Sequence, residues 1–233
     1  MPRPLVLATR SAGKIRELRA LCLAQGYVTQ TLDEAGIAQT AAEDAIEVFE
    51  TFVENAEAKA RYFAQQLPGR VILAEDSGLE VDALHGAPGV RSKRWAGSTA
   101  SGAQLDADNN AALLRALQNV RDAALRTARY RCVAVCVCDT EQEAAEATRV
   151  RAPVDIRADL WTGEGCVDGV LTRVARGAGG FGYDPYFESV ELGKTFGEAL
   201  GEEKARVSHR ARALSAVFAA AAVTLRTRVQ RVS

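Results

Sequence analysis

Short apolar runs and helical apolar stripes take turns along this chain, a pattern that points to an α/β sheet protein. Leu5-Val6-Leu7-Ala8 reads as a buried strand, and after it Ile15, Leu18, Leu21 and Cys22 recur at helical spacing. A polar, alanine-rich connection runs to about Ala42, and a second helix is expected over roughly Ala45 to Gln66. Its apolar stripe is Phe49, Phe52, Val53, Ala56, Ala60 and Phe63, and Glu47, Glu50, Glu54 and Glu57 share the opposite face. Val71-Ile72-Leu73-Ala74, entered from Pro68-Gly69, is a short buried strand whose end delivers Glu75-Asp76-Ser77-Gly78. Leu79 to Leu84 alternates like a strand with one wet face. A helix over Gln104 to about Gln118 buries Leu105, Leu113, Leu114 and Leu117, and Tyr130 to Cys138, apolar on both faces, is a central strand. Glu141 to Glu146 is an acidic turn region. Ala147 to Val154 and Cys166 to Leu171 read as strands of a meander through Gly163 and Gly165. A terminal helix after Ser208 carries Leu214, Val217, Phe218, Ala221 and Leu225 on one face.

At 233 residues the chain is long enough for one large domain or two lobes around a cleft, the second lobe an excursion from the first. With 48% hydrophobic and 25% charged residues it has the make-up of an ordinary soluble globular protein. A formal charge of −1 supplies no global basic field for nucleic acid, although local clusters can still bind phosphate. Five cysteines, three of them in the apolar run Cys132 to Cys138, include no CxxC pair and read as core side chains in a reducing compartment. Met1-Pro2-Arg3-Pro4 leads straight into a strand and no apolar stretch reaches membrane-spanning length, so a cytoplasmic protein without a membrane partner is expected.

Five stretches carry candidate chemistry. Thr9-Arg10-Ser11-Ala12-Gly13-Lys14 joins a strand to a helix N-terminus, which offers backbone N–H groups, hydroxyls and an ammonium to an anion; a capped turn is the plainer reading. Asp76 at a strand's carboxyl edge is placed to hold a cation or take a proton from water, though Asp-Ser-Gly is also ordinary turn chemistry. A glutamate stripe without interleaved lysines is self-repulsive, and a metal ion would relieve it. Arg176 to Phe187 places four glycines within six residues ahead of Tyr183, Asp184 and Tyr186, with Phe181 among them, a backbone that a flat heterocycle can approach and stack on. Glu202 to Arg210 brings a cation, a hydroxyl and His209 to the start of the last helix; capping by Ser208 is its plain account. The basic, Trp-bearing patch Arg91 to Gly97 is too short to argue nucleic acid and reads as a rim or subunit contact. Of 29 basic residues only five are lysines, and Lys14, Lys59 and Lys204 are three of those, suggestive of a need for a compact ammonium.

Taken in order, Leu7-Ala8-Thr9 to Lys14, Phe52-Val53-Glu54-Asn55-Ala56 to Lys59, Glu75-Asp76-Ser77-Gly78-Leu79, Gly86-Ala87-Pro88-Gly89, Gly179 to Pro185 and Glu203-Lys204 to Ser208-His209-Arg210 closely resemble the motifs of the Ham1-like inosine/xanthosine triphosphate pyrophosphatases, nearly end to end. The resemblance implies a single domain over 1–233, with an elongated, long, mixed, twisted sheet, flanking helices and two lobes around a nucleotide cleft, usually as a homodimer. It implies hydrolysis of ITP, dITP or XTP to the monophosphate and pyrophosphate with Mg²⁺. On that resemblance, Thr9, Arg10, Ser11, Ala12, Gly13 and Lys14 bind the triphosphate together with Lys59. Asp76 is proton acceptor and metal ligand, Glu47 the second metal carboxylate. Ser77, Phe181, Gly182, Tyr183, Asp184, Lys204, His209 and Arg210 contact the nucleotide. The chain departs from the family pattern at Arg10 and Ser11, where Gly and Asn are usual, and at Glu75, where Asp is common. A Maf-type pyrophosphatase acting on other nucleotides and a non-catalytic nucleotide sensor are the alternatives; the second would not need Asp76 as a base.

Overall fold

The computed structural model describes residues 2–138 and 159–232, so the expected acidic turn Glu141–Glu146 and strand Ala147–Val154 lie outside the described residues. The fold is mixed α/β. A seven-stranded sheet has the order β2-β1-β3-β4-β5-β6-β7, with β1 Leu5–Leu7, β2 Thr29–Thr31, β3 Val71–Val81, β4 Thr127–Cys138, β5 Asp159–Leu171, β6 Phe187–Ser189 and β7 Lys194–Thr195. β1 runs parallel to β2 and β3, whereas β5, β6 and β7 pair antiparallel. The helices are α1 Ala12–Ala24, α2 Phe52–Gln66, α3 Gly102–Ala116, α4 Gly201–Val207, α5 His209–Ala220 and α6 Ala222–Arg228. Among the described residues no helix is long and apolar enough to cross a membrane.

The chain divides into two compact units. The first takes the described residues within Met1–Asp76, Val133–Glu164 and Ala213–Ser233. Its core is built on β1 and the start of β3, where Leu5, Leu7, Ile72 and Leu73 are fully buried; each such side chain contributes about 1.5–3 kcal/mol by leaving water. The expected face of the last helix is found, with Leu214, Val217, Phe218, Ala221 and Leu225 all buried, but the helix after Ser208 is divided into α5 and α6, and a separate short helix, α4, precedes it. Ser208 ends α4 and its Oγ accepts the Ala211 N–H, so the capping residue is also the break. α5 lies on Gly163 so closely that a Cβ there would sit 2.3 Å from the Val217 nitrogen and 2.4 Å from the Ala213 oxygen. Gly163 and Gly165 therefore belong inside β5 and are not the turn of a meander.

The second unit takes Ser77–Cys132 and Gly165–Arg212. Leu79, Val81, Leu113, Leu117, Tyr130, Phe187 and Phe196 form its core, and Tyr130 stacks on His209 at 4.7 Å between centroids and 10° between planes. Arg126, buried in the same unit, donates to the Leu117, Leu171 and Thr172 carbonyls. Burial lowers the pKa of its guanidinium, and these acceptors supply the hydrogen bonds that a buried cation needs.

Three expectations about elements need correction. The second helix begins at Phe52, not near Ala45, because Thr51 caps it by accepting the Glu54 N–H; a separate 3-10 turn covers Ala41–Ala45. Glu47 and Glu50 thus precede the helix and share no face with Glu54 and Glu57, and Phe49 is exposed. β3 does not stop at Ala74 but runs through Glu75-Asp76-Ser77-Gly78 to Val81, after which Asp82–Leu84 is a 3-10 turn and not strand. The strand that does end there is β1: Leu7 pairs with Leu73 and the Ala8 N–H bonds to the Leu73 carbonyl. Finally, the connection before Ala42 contains β2, whose Thr-Gln-Thr sequence has no apolar signal.

Candidate functional site

Chemistry-bearing side chains gather in two clusters, one in each unit. In the first unit, Ser11 is the N-cap of α1 and its Oγ accepts the Lys14 N–H, and Thr9 Oγ1 accepts the Ser11 N–H. Ala12 and Gly13 open the helix, so the loop ends at the positive pole of a 13-residue dipole. Lys14 Nζ lies 2.8 Å from Glu75 Oε1, a carboxylate with no exposed side-chain surface. Lys59, from α2, donates to the Glu75 carbonyl at 2.9 Å and pairs with the Glu47 carboxylate.

Asp76 stands next to this pair of ammonium groups and is 7% exposed. Burial raises its pKa above the usual aspartate range; Lys14 and Lys59 oppose the shift, and Glu47 and Glu75 add to it. Burial also works to raise Glu47, but there Lys59 and Lys14 prevail and its pKa is lowered. The two carboxyl groups are thus shifted in opposite directions, Asp76 up and Glu47 down. Asn55, fully buried, donates from Nδ2 to Asp76 Oδ2 at 3.1 Å and to the Phe49 carbonyl at 3.1 Å, and its Oδ1 accepts the Phe49 N–H at 2.9 Å. A single amide therefore orients Asp76 and fixes the irregular stretch that carries Glu47. As a helix interior residue inside a capped, acidic helix it reads from sequence as one more polar position; its low helix propensity was the available signal.

Arg10 turns away from its neighbours in the loop: its guanidinium bonds Glu43, Asp33 and the Ile37 carbonyl, and these bonds hold Glu43 below the usual carboxylate range. Glu50 and Glu54 are exposed, which leaves Glu47 as the glutamate of that stretch that joins the cluster. The donor chemistry fits a hard divalent cation, since Asp76 and Glu47 offer carboxylate oxygens and the charge of Glu47 acts on Asp76. Among the described residues no three His, Cys, Asp or Glu side chains converge as a metal group. Mg²⁺ does not require that, because it is commonly held by one or two carboxylates with substrate phosphates.

In the second unit, Gly180 and Gly182 are both left-handed, at φ 75° and 63°, and they flank Phe181. Gly180 has no alternative: a Cβ would fall 2.1 Å from Asp184 Oδ2. That oxygen accepts the Phe181 N–H at 2.8 Å and meets Lys204 Nζ at 2.6 Å. Lys204 Nζ lies 5.2 Å and the Arg210 guanidinium 5.7 Å from the Phe181 ring centroid, within cation–π reach. Arg210, 2% exposed, donates to Ser77 Oγ at 2.9 Å. Phe181, Asp184, Lys204, Arg210 and Ser77 are thereby one contact set: a half-buried aromatic ring with fixed donors beside it. Two expected members are turned into the core. His209 packs on Tyr130, and Tyr183 donates its hydroxyl to the Ser92 carbonyl at 2.8 Å, its pKa raised by burial.

The family model described as "Ham1 family" matches residues 5–220. A Methylococcus capsulatus protein named dITP/XTP pyrophosphatase is 43% identical over 213 residues, 91% of this chain and 93% of that protein. The solved structure of a HAM1 protein from Coxiella burnetii matches with TM-score 0.69 at 32% identity, covering 96% of this chain and 99% of that one. A nucleoside-triphosphatase / dITP/XTP pyrophosphatase from Mycobacterium abscessus matches with TM-score 0.62 at 32% identity, covering 92% and 98%. The family match over residues 5–220, with relatives of this identity and coverage, shows that the chain belongs to the Ham1 family.

Proposed function

We propose that this protein is a pyrophosphatase of non-canonical purine nucleoside triphosphates (ITP, dITP and XTP), releasing the monophosphate and pyrophosphate. The observation that carries the reading is the buried Asp76, oriented by Asn55 and set among Lys14, Lys59, Glu47 and Glu75. Relatives such as the Methylococcus capsulatus dITP/XTP pyrophosphatase support the substrate class.

Water attacks the α-phosphorus, the bond to the bridging oxygen breaks, and pyrophosphate leaves. Asp76, whose raised pKa brings it closer to the working pH, accepts the water's proton. The N–H groups at the start of α1 and the ammonium groups of Lys14 and Lys59 receive phosphate oxygens. Both lysines are paired with carboxylates here and exchange those partners for substrate. Asp76 and Glu47 would hold Mg²⁺, which when bound supplies charge neutralisation of the triphosphate. Phe181 offers a face to the base. An Arg210 N–H facing position 6 of the purine donates to a keto oxygen, but an amino group there leaves two donors opposed. Buried polar sites reject such mismatches by orders of magnitude.

The test is pyrophosphate release with Mg²⁺ from ITP, XTP, dITP, ATP, GTP and dTTP, each beside Asp76→Asn. Selective turnover of the first three, lost in the variant, is the expected result. Brisk dTTP hydrolysis would move the protein to a Maf-type activity, and an Asp76→Asn variant as active as the parent would remove Asp76 as the base.

A further inference from the structure

Helix α3 supplies polar side chains to the backbone of the Phe181 loop. Asp106 Oδ2 accepts the Gly182 N–H at 2.8 Å, and Asn110 Nδ2 donates to the Gly182 carbonyl at 2.9 Å. Asp106 and Asn110 are four residues apart, one turn of the same helix face, and between them they hold the two peptide groups that flank the Gly182 Cα. Between them on α3, Asn109 treats a second segment in the same way, accepting the Ala96 N–H at 2.8 Å and donating to the Lys93 carbonyl at 2.9 Å.

The burial of Asn110 shows what that position is for. It is 9% exposed, and its Oδ1 is buried with no hydrogen-bond partner among the described residues. An unsatisfied buried acceptor costs about 1–3 kcal/mol, and Ala or Leu at this place in the helix would not incur it. What the side chain does in return is hold Gly182 through Nδ2. Gly182 in turn sits at φ 63° directly after Phe181, whose own N–H is held by Asp184. The backbone on both sides of the ring is thus fixed, by Asp184 before it and by α3 after it.

We infer that Asp106 and Asn110 are positioning residues for base recognition, acting through Gly182 to set the plane and height of the Phe181 ring beside Arg210. The inference rests on the proposed function for its substrate, but its structural half does not. Without the bracket the left-handed Gly182 samples other conformations, the ring loses its fixed plane, and the base loses its alignment with the Arg210 donors. Binding and discrimination then suffer, and the chemistry at Asp76 does not.

Asp106→Ala and Asn110→Ala are compared with the parent and with Asp106→Asn, which retains an acceptor for the Gly182 N–H. Each alanine variant is expected to raise KM for ITP roughly tenfold, the equivalent of one hydrogen bond, to leave kcat within about twofold, and to shrink the ITP-over-ATP ratio of kcat/KM. Asp106→Asn is expected to stay near the parent. In the ligand-free protein, hydrogen exchange in the peptide covering Gly179–Asp184 is expected to quicken in both alanine variants. A lowered melting temperature with unchanged KM, unchanged ITP/ATP ratio and unchanged exchange would overturn the inference and leave α3 a merely structural helix. If the parent itself fails to turn over ITP, the proposed function falls; the exchange measurement still decides the bracket, upheld by quickened exchange and overturned by none.

Discussion

Cutting the Lys204–Asp184 pair separates what the base-side cluster does for stability from what it does for binding. The two charged atoms are 2.6 Å apart, and the side chains are only 8% and 3% exposed, so solvent screens little of the interaction. Removing one partner from a buried pair leaves an uncompensated charge and costs about 3–5 kcal/mol. Asp184→Asn keeps an oxygen for the Phe181 N–H, so its loss is expected near the lower end, about 3 kcal/mol. Asp184→Ala also orphans that N–H, a further cost of about 1–3 kcal/mol. With a urea m-value of about 3 kcal/mol per molar for a chain of this size, the Asn variant's midpoint falls by roughly 1 M.

The double variant Asp184→Asn/Lys204→Met tests the reasoning harder. Replacing a buried pair by groups of similar volume is often close to neutral, so the midpoint is expected to return most of the way. The KM for ITP is not, because the ammonium beside the Phe181 ring stays absent. Urea titrations followed by circular dichroism, with pyrophosphate-release kinetics on the same samples, read both quantities. A midpoint shift under about 0.3 M for Asp184→Asn, or a double variant as unstable as the worse single one, would refute the account of a buried, mutually dependent pair.

Two other consequences concern the acid. Because burial raises the Asp76 pKa, the folded protein binds a proton that the unfolded chain has already released, and stability falls as pH climbs from the ordinary carboxylate range through the raised value. Asp76→Asn is therefore expected to be inactive yet to melt higher than the parent at neutral pH, with the difference closing in acid; melting curves from about pH 7 to pH 4 check it. Asn55→Ala removes the donor to Asp76 and the clamp on Phe49 together. On the proposed role of Asp76 as a metal ligand, the variant's kcat is expected to drop about 10–100-fold, the usual effect of losing a group that orients such a ligand, with Mn²⁺ affinity, read by calorimetry, weakened alongside.

What the sequence makes legible is local, and the site is built where local patterns stop. The run Leu5 to Ala8 and the helix that carries Ile15, Leu18 and Cys22 follow from period alone, and the polar loop between them is read from its residue types. The pattern offers Glu47 only as one of four glutamates on a helix face that does not exist, and the family resemblance singles it out: a glutamate every three or four residues looks the same whether or not the backbone beneath it is helical. What decides the matter is Thr51 taking the cap and Asn55 reaching back to Phe49, and neither leaves a periodic trace. Asn55, Asp106, Asn109 and Asn110 share this invisibility. Each is a polar residue on an amphipathic helix, where the default reading is a solvated face, and each is wholly or partly buried because its partner is a backbone group or acid from elsewhere in the chain, up to 76 residues away for Asp106 and Gly182. Asparagine is a poor helix former, and Asn109-Asn110 midway through α3 runs against the propensity of its Ala and Leu neighbours. A residue that weakens its own helix and is nevertheless buried has to be holding something outside it. In this protein, what those asparagines hold is backbone: Phe49 two residues beyond Glu47, and Gly182 directly after Phe181.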